Sequence, residues 1–462
     1  MTFYTEYAEK WEKAVENAQI LDAELQAPEY ENAILLPLRK RADSPSSSFD
    51  GWHEGGVCAA DYTFIAGLDR KTPRKDANFA CVKSYIPDSV KYRDETVIFG
   101  GVLIDHFGHN LVDCLSRMWY FAKNPDTPHK FVFLMMTGHT QYTKAFFELA
   151  GLTEDRYEII TEATQFRSVI VPDEAMYSIS STAHPHWLLF FERIKENIRK
   201  TTPKSLVDKV YLTRTQLPPE VVIEFNECYY ENFFSERGYT VVAPEKLPLS
   251  EQINIIMNAS SIVATMGTLS HMMVFANENT NCTFLLRSPS EIVRPQIIID
   301  RLKGYGLSYV EVTRQLLPSP HAGGIPFYSP TPYFSEYVSD NQMRSNEVED
   351  MTCDEELVLE YLRKYALYYR NSDTFRRIAN YTAFDFVNSM NHSLYGITLD
   401  KENYQKPKVV QDNERLKNEK KKLENQLTEL KNSTSWKITK PLRLIAKVFR
   451  RFKKKVKSCL KH

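Results

Sequence analysis

GYTVVAPEKLPLSEQINIIMNASSIVATMGTLSHMMVFA, residues 238–276, decides the architecture of this chain. YTVVAPE (239–245) reads as a strand and LSEQINIIMNA (249–259) as a helix, with Ser250 as N-cap and an acid in its first turn. SIVATMG (261–267) is a second strand and SHMMVFA (270–276) a second helix. Outward from this core, KVYLTRT (209–215) is a strand and NECYYENFFSERG (226–238) a helix ended by Gly238. CTFLLR (282–287) is another strand. Strands rich in Val and Ile that alternate with helices build a parallel sheet covered on both faces. Such sheets bind ligands beyond the carboxyl ends of their strands. Here those ends carry Thr213-Arg214-Thr215, Pro244-Glu245 and Met266-Gly267-Thr268.

The 462 residues suffice for two to four domains at about 100–200 residues each. With 43% hydrophobic and 25% charged residues, the composition is that of a globular protein. Toward the amino end, residues 1–45 read as an amphipathic helix and a loop, and SPSSS (44–48) as a turn or linker. VCAADYTFIAG (57–67) and ETVIFGG (95–101) read as strands, and a helix is expected from His109 to Phe121. FVFLMM (131–136), YEII (157–160) and SVIVP (168–172) are strands; TKAFFELAGL (143–152) and WLLFFERIKENIRK (187–200) are helices. Toward the carboxyl end, residues 318–335 read as a crossover loop and 354–395 as helical. Val409, Leu416, Leu423 and Leu430 repeat every seven residues, a short coiled coil with weak intervening positions.

Several classes are excluded at this level. The amino end lacks a basic segment followed by an apolar run, so no secretory signal is expected. No window of 18 apolar residues predicts a spanning helix. Seven cysteines without CxxC spacing argue against a disulfide framework or zinc ribbon and for reduced thiols. Neither GxGxxG nor GxxxxGK[ST] occurs, which excludes a dinucleotide fingerprint and a P-loop.

Residues 436–462 carry eleven Lys/Arg and no Asp/Glu within a net charge of −1 for the whole chain. Leu442, Ile445, Val448/Phe449 and Phe452 recur on one helical face of this tail. Basic residues opposite an apolar face fit an anionic membrane surface, with nucleic acid and a solvated face as the competing readings.

GGVLIDHFGHNLVDCLSRMWY (100–120) concentrates the chemistry. On a helix starting at His109, His109, Asp113 and Ser116/Arg117 form one polar stripe. Asp113 can then orient the His109 imidazole as a general base. The same spacing also fits an Asp113–Arg117 surface ion pair with His109 satisfied in the core. His106, His109 and Asp113 raise the question of a metal, but His106 precedes the helix and no third strong ligand is near. Arg214, just past its strand, can clamp a phosphate or be an ordinary surface arginine. Backbone amides at Gly267–Thr268 can perch an anion, or the glycine can serve a tight turn.

Taken together the chain resembles glycosyltransferase family 61, in its bacterial capsular-polysaccharide branch. The resemblance rests on GGVLIDHFGHNLVDCLSRMW (100–119), VYLTR (210–214), Asn226-Glu227, GYTVVAPEKLPLSEQI (238–253) and IVATMGTLSHMMVF (262–275), in that order. KNSTSWKITKPLR (431–443) resembles a tail common on bacterial surface-glycan glycosyltransferases. It implies an α/β, GT-B-like fold: two Rossmann-like domains facing a cleft, at 1–200 (acceptor side) and 205–320 (nucleotide-sugar side). A crossover and helical segment (321–400), a coiled coil (405–435) and a basic amphipathic tail (436–462) complete the chain. It implies inverting sugar transfer from a nucleotide-sugar donor to a glycan or lipid-linked glycan, without a cofactor or bound metal. His109 and Asp113 match catalytic positions, and His106 and Arg117 lie on the acceptor side. Arg214, Asn226, Glu227, Gly267, Thr268 and His271 match the donor side.

Two positions depart from the family pattern. Glu224 stands where an Arg is common before the Asn-Glu pair, and Met266 where a His is common before the glycine. Phosphate contacts then come from elsewhere, His271 being one candidate, or the donor differs. The expected setting is the cytoplasmic face of a bacterial plasma membrane, held there by 436–462, with a homodimer through 409–434 and no nucleic acid. The rival readings are a polysaccharide pyruvyl transferase on a similar fold and a catalytically degenerate scaffold.

Overall fold

The computed structural model describes residues 1–371 except 42–51, 70–80, 137–140, 219–223, 315, 318–324 and 345–353; beyond these it describes 388–389, 391–393, 396 and 398. The chain divides into Met1–Tyr361, which holds both large sheets, and Leu362–His462. In chain order the main elements are β1 (Thr2–Tyr4), α1 (Ala8–Asn17), β2 (Glu29–Glu31), β3 (Ile34–Lys40), β4 (His53–Cys58) and β5 (Phe64–Ala66). Then come β6 (Lys91–Leu103), β7 (Lys130–Met135), α2 (Gln141–Ala150), β8 (Tyr157–Ile159), β9 (Thr164–Ile170) and α3 (Leu188–Thr201). The second half holds β10 (Lys209–Leu212), α4 (Cys228–Ser235), β11 (Thr240–Val242), α5 (Leu249–Ile256), β12 (Ser261–Thr265) and β13 (Asn281–Leu286). It closes with α6 (Arg294–Lys303), β14 (Gly306–Glu311), α7 (Pro332–Asp340) and α8 (Glu355–Asn371).

The second-half strands form the parallel sheet that the Val/Ile runs predict, in the order β11-β10-β12-β13-β14-β1. Ile262 and Val263 point to opposite faces of β12, and both are fully buried, so each face is covered. The chain moves outward from β10 to β11, then crosses back to β12. That reversal opens a crevice at the carboxyl ends of β10 and β12, where a doubly wound sheet takes its ligand. The sixth strand is a difference from the sequence reading: β1, expected with the amino-terminal domain of 1–200, pairs in parallel with β14. Trp11 of α1 comes next, fully buried, with its indole N–H donating to Pro289 O at 2.8 Å.

The first-half sheet is mixed. β8, β7, β6 and β9 are parallel in that order, and β3, β4 and β5 extend it antiparallel beyond β9, on which β2 also pairs. Its reversal lies between β6 and β9, so the loops after these two strands flank a second crevice. Near its end β6 carries a bulge between Phe99 and Gly101, which re-aims the strand. Gly100 is obligatory there, since a Cβ would stand 2.2 Å from the Phe133 ring, and Gly101 adopts φ +121°.

The two lobes share one hydrophobic core. Phe275 meets Phe191 of α3 at 5.5 Å between ring centroids and Phe146 of α2 at 6.4 Å. Each such ring removed from water stabilises the junction by about 1.5–3 kcal/mol. The helix expected over 109–121 is broken: Phe107–His109 is one helical turn, Asn110–Cys114 a π-helical turn, and Trp119–Lys123 a separate short helix. The expected loop 318–335 contains a short strand, Phe327–Tyr328, paired with Thr313–Arg314, and the start of α7. No helix among the described residues is long and apolar enough to cross a membrane. The turn at 44–48, the coiled coil (405–435) and the basic tail (436–462) lie outside the described residues.

Candidate active site

The loop after β6 begins with His106, whose Nδ1 accepts from the His109 amide at 3.4 Å and caps the first turn. Asn110 anchors that turn from below, its Nδ2 donating to Ile104 O (3.0 Å) and His106 O (3.1 Å). The π-helical turn after it brings the His109 ring onto Asp113, Nδ1 to Oδ2 at 2.6 Å. Such turns recur where a helix must present side chains off its usual register. The Ser178 hydroxyl, from the loop after β9, donates to Asp113 Oδ1 at 2.6 Å. The carboxylate is thus held at both oxygens and is 2% exposed, whereas the His109 side chain is 20% exposed. Asp113 therefore orients, and His109 faces outward. The His106 ring sits 4.9 Å from that of His109; desolvation and the neighbouring imidazole hold it below the usual histidine range.

Arg117 does not join this stripe. One residue added to a turn rotates the residues beyond it by about 100°, and Arg117 points inward. It donates to Pro172 O and, at 3.2 Å, to Glu174 Oε1, fully within the protein. Burial pushes Glu174 up to about 7 despite this partner. The expected acceptor-side Arg117 thus serves to fasten the loop after β9 that carries Ser178. The alternative Asp113–Arg117 surface pair is likewise replaced, each group having another partner.

The second wall is built at the carboxyl ends of β10, β12 and β13. Arg214 lies just past β10, Gly267 past β12 and Arg287 past β13. Glu224, with no exposed side-chain surface, lies between the two arginines: its Oε1 is 2.9 Å from Arg214 Nε and 3.0 Å from Arg287 Nε. The Asn226-Glu227 pair lies beneath. Asn226 adopts φ +69°, a conformation Asn tolerates, and donates to Tyr328 O at 2.9 Å. Glu227 Oε1 accepts from the Arg214 amide at 3.1 Å and faces the Tyr211 hydroxyl at 3.3 Å. Burial and then the Glu224 charge push Glu227 up to about 8. This pair positions the Arg214 loop.

Gly267 adopts φ 137°, and a Cβ there would stand 3.3 Å from Arg287 Nη1. Its amide, expected to face an anion, donates instead to the Ser270 hydroxyl at 3.2 Å, because that hydroxyl folds back over the turn. Arg214 and Arg287 bring cationic side chains to this wall.

The two walls meet. A Cβ on Gly108 would come within 3.1 Å of Thr268 Oγ1, so the His109 turn lies directly against the Thr268 turn. His271, one turn on, is buried and feels the charges of Asp113, His109 and His106. Its Nδ1 donates to Gln296 Oε1 at 2.9 Å, and Gln296 Nε2 donates to Asp300 Oδ1 at 2.7 Å. Burial drives His271 down to about 4, against the raising effect of Gln296. It lies buried beneath the Thr268 turn, held through Nδ1 by Gln296.

Ser178, Arg287 and Gln296 were missed by the sequence reading. Arg287 closes CTFLLR and carried a signal, an arginine just past a parallel strand; Ser178 and Gln296 carried none.

No curated protein matches the chain at a significant level. Two solved structures are similar in part. One is the dodecameric iron-containing heptosyltransferase TibC in complex with ADP-D-beta-D-heptose, at 10% identity over 75% of this chain and 96% of that one, TM-score 0.27. The other is TibC from enterotoxigenic E. coli H10407, at 11% identity over 82% and 96%, TM-score 0.27. Neither likeness bears on the chemistry of this chain. The family model Glycosyltransferase 61 matches residues 107–283, a segment that contains His109, Asp113, Arg214, Glu227 and the Gly267 turn. Residues 107–283 are thus similar to glycosyltransferase family 61.

Proposed function

We propose that the chain transfers a sugar from a nucleotide-sugar donor to a glycan acceptor with inversion at the anomeric carbon, His109 serving as base. The observation that carries this reading is the Ser178–Asp113–His109 chain of hydrogen bonds seated against the Thr268 turn, beside the crevice that Arg214 borders. Asp113 accepts a hydrogen bond from Nδ1–H of His109, which leaves the lone pair on Nε2 for an acceptor hydroxyl. As that oxygen attacks the anomeric carbon, its proton passes to Nε2 and the bond to the diphosphate breaks on the opposite face. Arg214 meets the charge that develops on the departing nucleoside diphosphate. The acceptor is a cell-surface or capsular polysaccharide, free or lipid-linked, reached from the cytoplasmic face of the membrane. The basic tail 436–462 raises the concentration near such an acceptor, and 409–434 pairs two copies.

A thermal-shift panel of nucleoside diphosphates, nucleotide sugars and phosphoenolpyruvate tests this, since a ligand at 100 times its Kd adds about 2.7 kcal/mol. Stabilisation by one nucleotide sugar, followed by release of its nucleoside diphosphate on adding acceptor, is the expected result. Stabilisation by phosphoenolpyruvate alone would assign pyruvyl transfer, and stabilisation by none would leave a scaffold.

A further inference from the structure

Two arginines close together at a strand-end crevice repel one another, so an empty site tends to splay them apart. Here Glu224 prevents that. One carboxylate oxygen touches both Nε atoms, at 2.9 Å to Arg214 and 3.0 Å to Arg287, and the side chain is wholly buried. Both of its oxygens and both Nε atoms are buried without a hydrogen-bond partner among the described residues, so the contact is an ion pair held by charge and distance. The Nη nitrogens of both arginines donate to no other protein group among the described residues, and Arg287 Nη1 reaches the Gly267 turn. Arg214 and Arg287 are 18% and 21% exposed, enough for a ligand to reach their outer edges.

We propose that Glu224 is a built-in counter-anion that holds Arg214 and Arg287 side by side, making Arg287 the second cation of a diphosphate-binding face. This rests on the donor-site reading above. Glu224 fixes the Nε edges and leaves the Nη forks for phosphate oxygens, the geometry in which guanidinium groups bind anions best. It also cancels one of the two positive charges. The face carries +1 rather than +2, which moderates its grip on the diphosphate product and speeds its release.

The test is calorimetric titration of the full chain with inorganic pyrophosphate and with a nucleoside diphosphate, at two salt concentrations, with thermal melts as a folding control. Arg287→Ala is expected to weaken both ligands about tenfold or more. Glu224→Gln keeps the bridging oxygen and removes the charge, so it is expected to tighten them about threefold to tenfold, with a steeper salt dependence. Glu224→Ala loses both and is expected to weaken them. A merely structural glutamate would give weaker binding in Gln as well as in Ala. Gln binding no tighter than wild type, or Arg287→Ala binding within about twofold of it, would overturn the proposal. Should the Glu224 variants fail to fold, Arg287→Ala decides alone. A wild-type chain that binds pyrophosphate through Arg287 yet moves no sugar sinks the transferase reading and leaves this one standing. Sugar transfer by Arg287→Ala with wild-type affinity for the donor sinks this one alone.

Discussion

Nδ1 of His109 lies 2.6 Å from Oδ2 of Asp113, and the other oxygen of that carboxylate is taken by Ser178. The carboxylate is inside and the imidazole reaches out, so the two residues have different tasks. Asp113→Asn can present its amide N–H₂ to Nδ1, which then must accept, and the protonated nitrogen becomes Nε2. The base is lost while the shape stays. His109→Ala and Asp113→Asn are each expected to lower the transfer rate by about 10²–10⁴-fold, with KM for the donor little changed. Ser178→Ala should cost less, since it frees only one oxygen. Steady-state kinetics with a fixed donor checks this, and near-normal turnover in His109→Ala would remove the assignment.

Glu227 offers a pH signature separable from activity. Burial and Glu224 push it from 4.5 up to about 8. An acid whose folded value is raised binds a proton on folding between those two values, so stability falls as pH rises through that window. Glu227→Gln cannot ionise and keeps the oxygen facing the Arg214 amide. Relative to wild type the variant is expected to gain stability by several kcal/mol between pH 5 and pH 9, at about 1.4 kcal/mol for each pH step of one inside the window. Urea denaturation at the two pH values measures it. A constant difference between variant and wild type would mean that Glu227 is ionised throughout.

The bulge that aims β6 at the site depends on two glycines with different reasons. Gly100→Ala drives a methyl group into the Phe133 ring, an overpacking that costs about 1–3 kcal/mol. Gly101→Ala forces a side chain into φ +121°, at a similar cost of about 1–3 kcal/mol. Both are expected to lower the urea midpoint and to reduce turnover, because the strand end carries the His106–Asp113 loop. An unchanged midpoint in both would show that the bulge relaxes.

Deleting 436–462 removes eleven cations. At about 1 kcal/mol for each cation at an anionic surface, the deleted chain is expected to leave phosphatidylserine vesicles while keeping its rate on a soluble acceptor. Vesicle sedimentation with and without the tail reads this directly, and equal binding by both chains would refute a membrane role for the tail.

The sequence by itself determined the parallel character of the second sheet. Runs such as Ile262-Val263-Ala264 are apolar at consecutive positions, and only a strand buried on both faces needs that. It offered the His109–Asp113 pair beside an Asp113–Arg117 alternative, and the first is the one formed, because a separation of four residues survives the change from an α to a π-helical turn. Tertiary structure decided the rest. That β1 joins the second sheet depends on a partner some 300 residues away along the chain, in β14, which no local pattern encodes. Arg117 continues the polar stripe in sequence, but the widened turn rotated it inward to Glu174. The Gly267 amide looked open because the strand–glycine–helix order hides what Ser270 does three residues later. Most of all, Glu224 looked like a lost arginine in the sequence. Only the convergence of three strand ends shows it to be the carboxylate that keeps Arg214 and Arg287 together, because charge pairing depends on distance in space and not on separation along the chain.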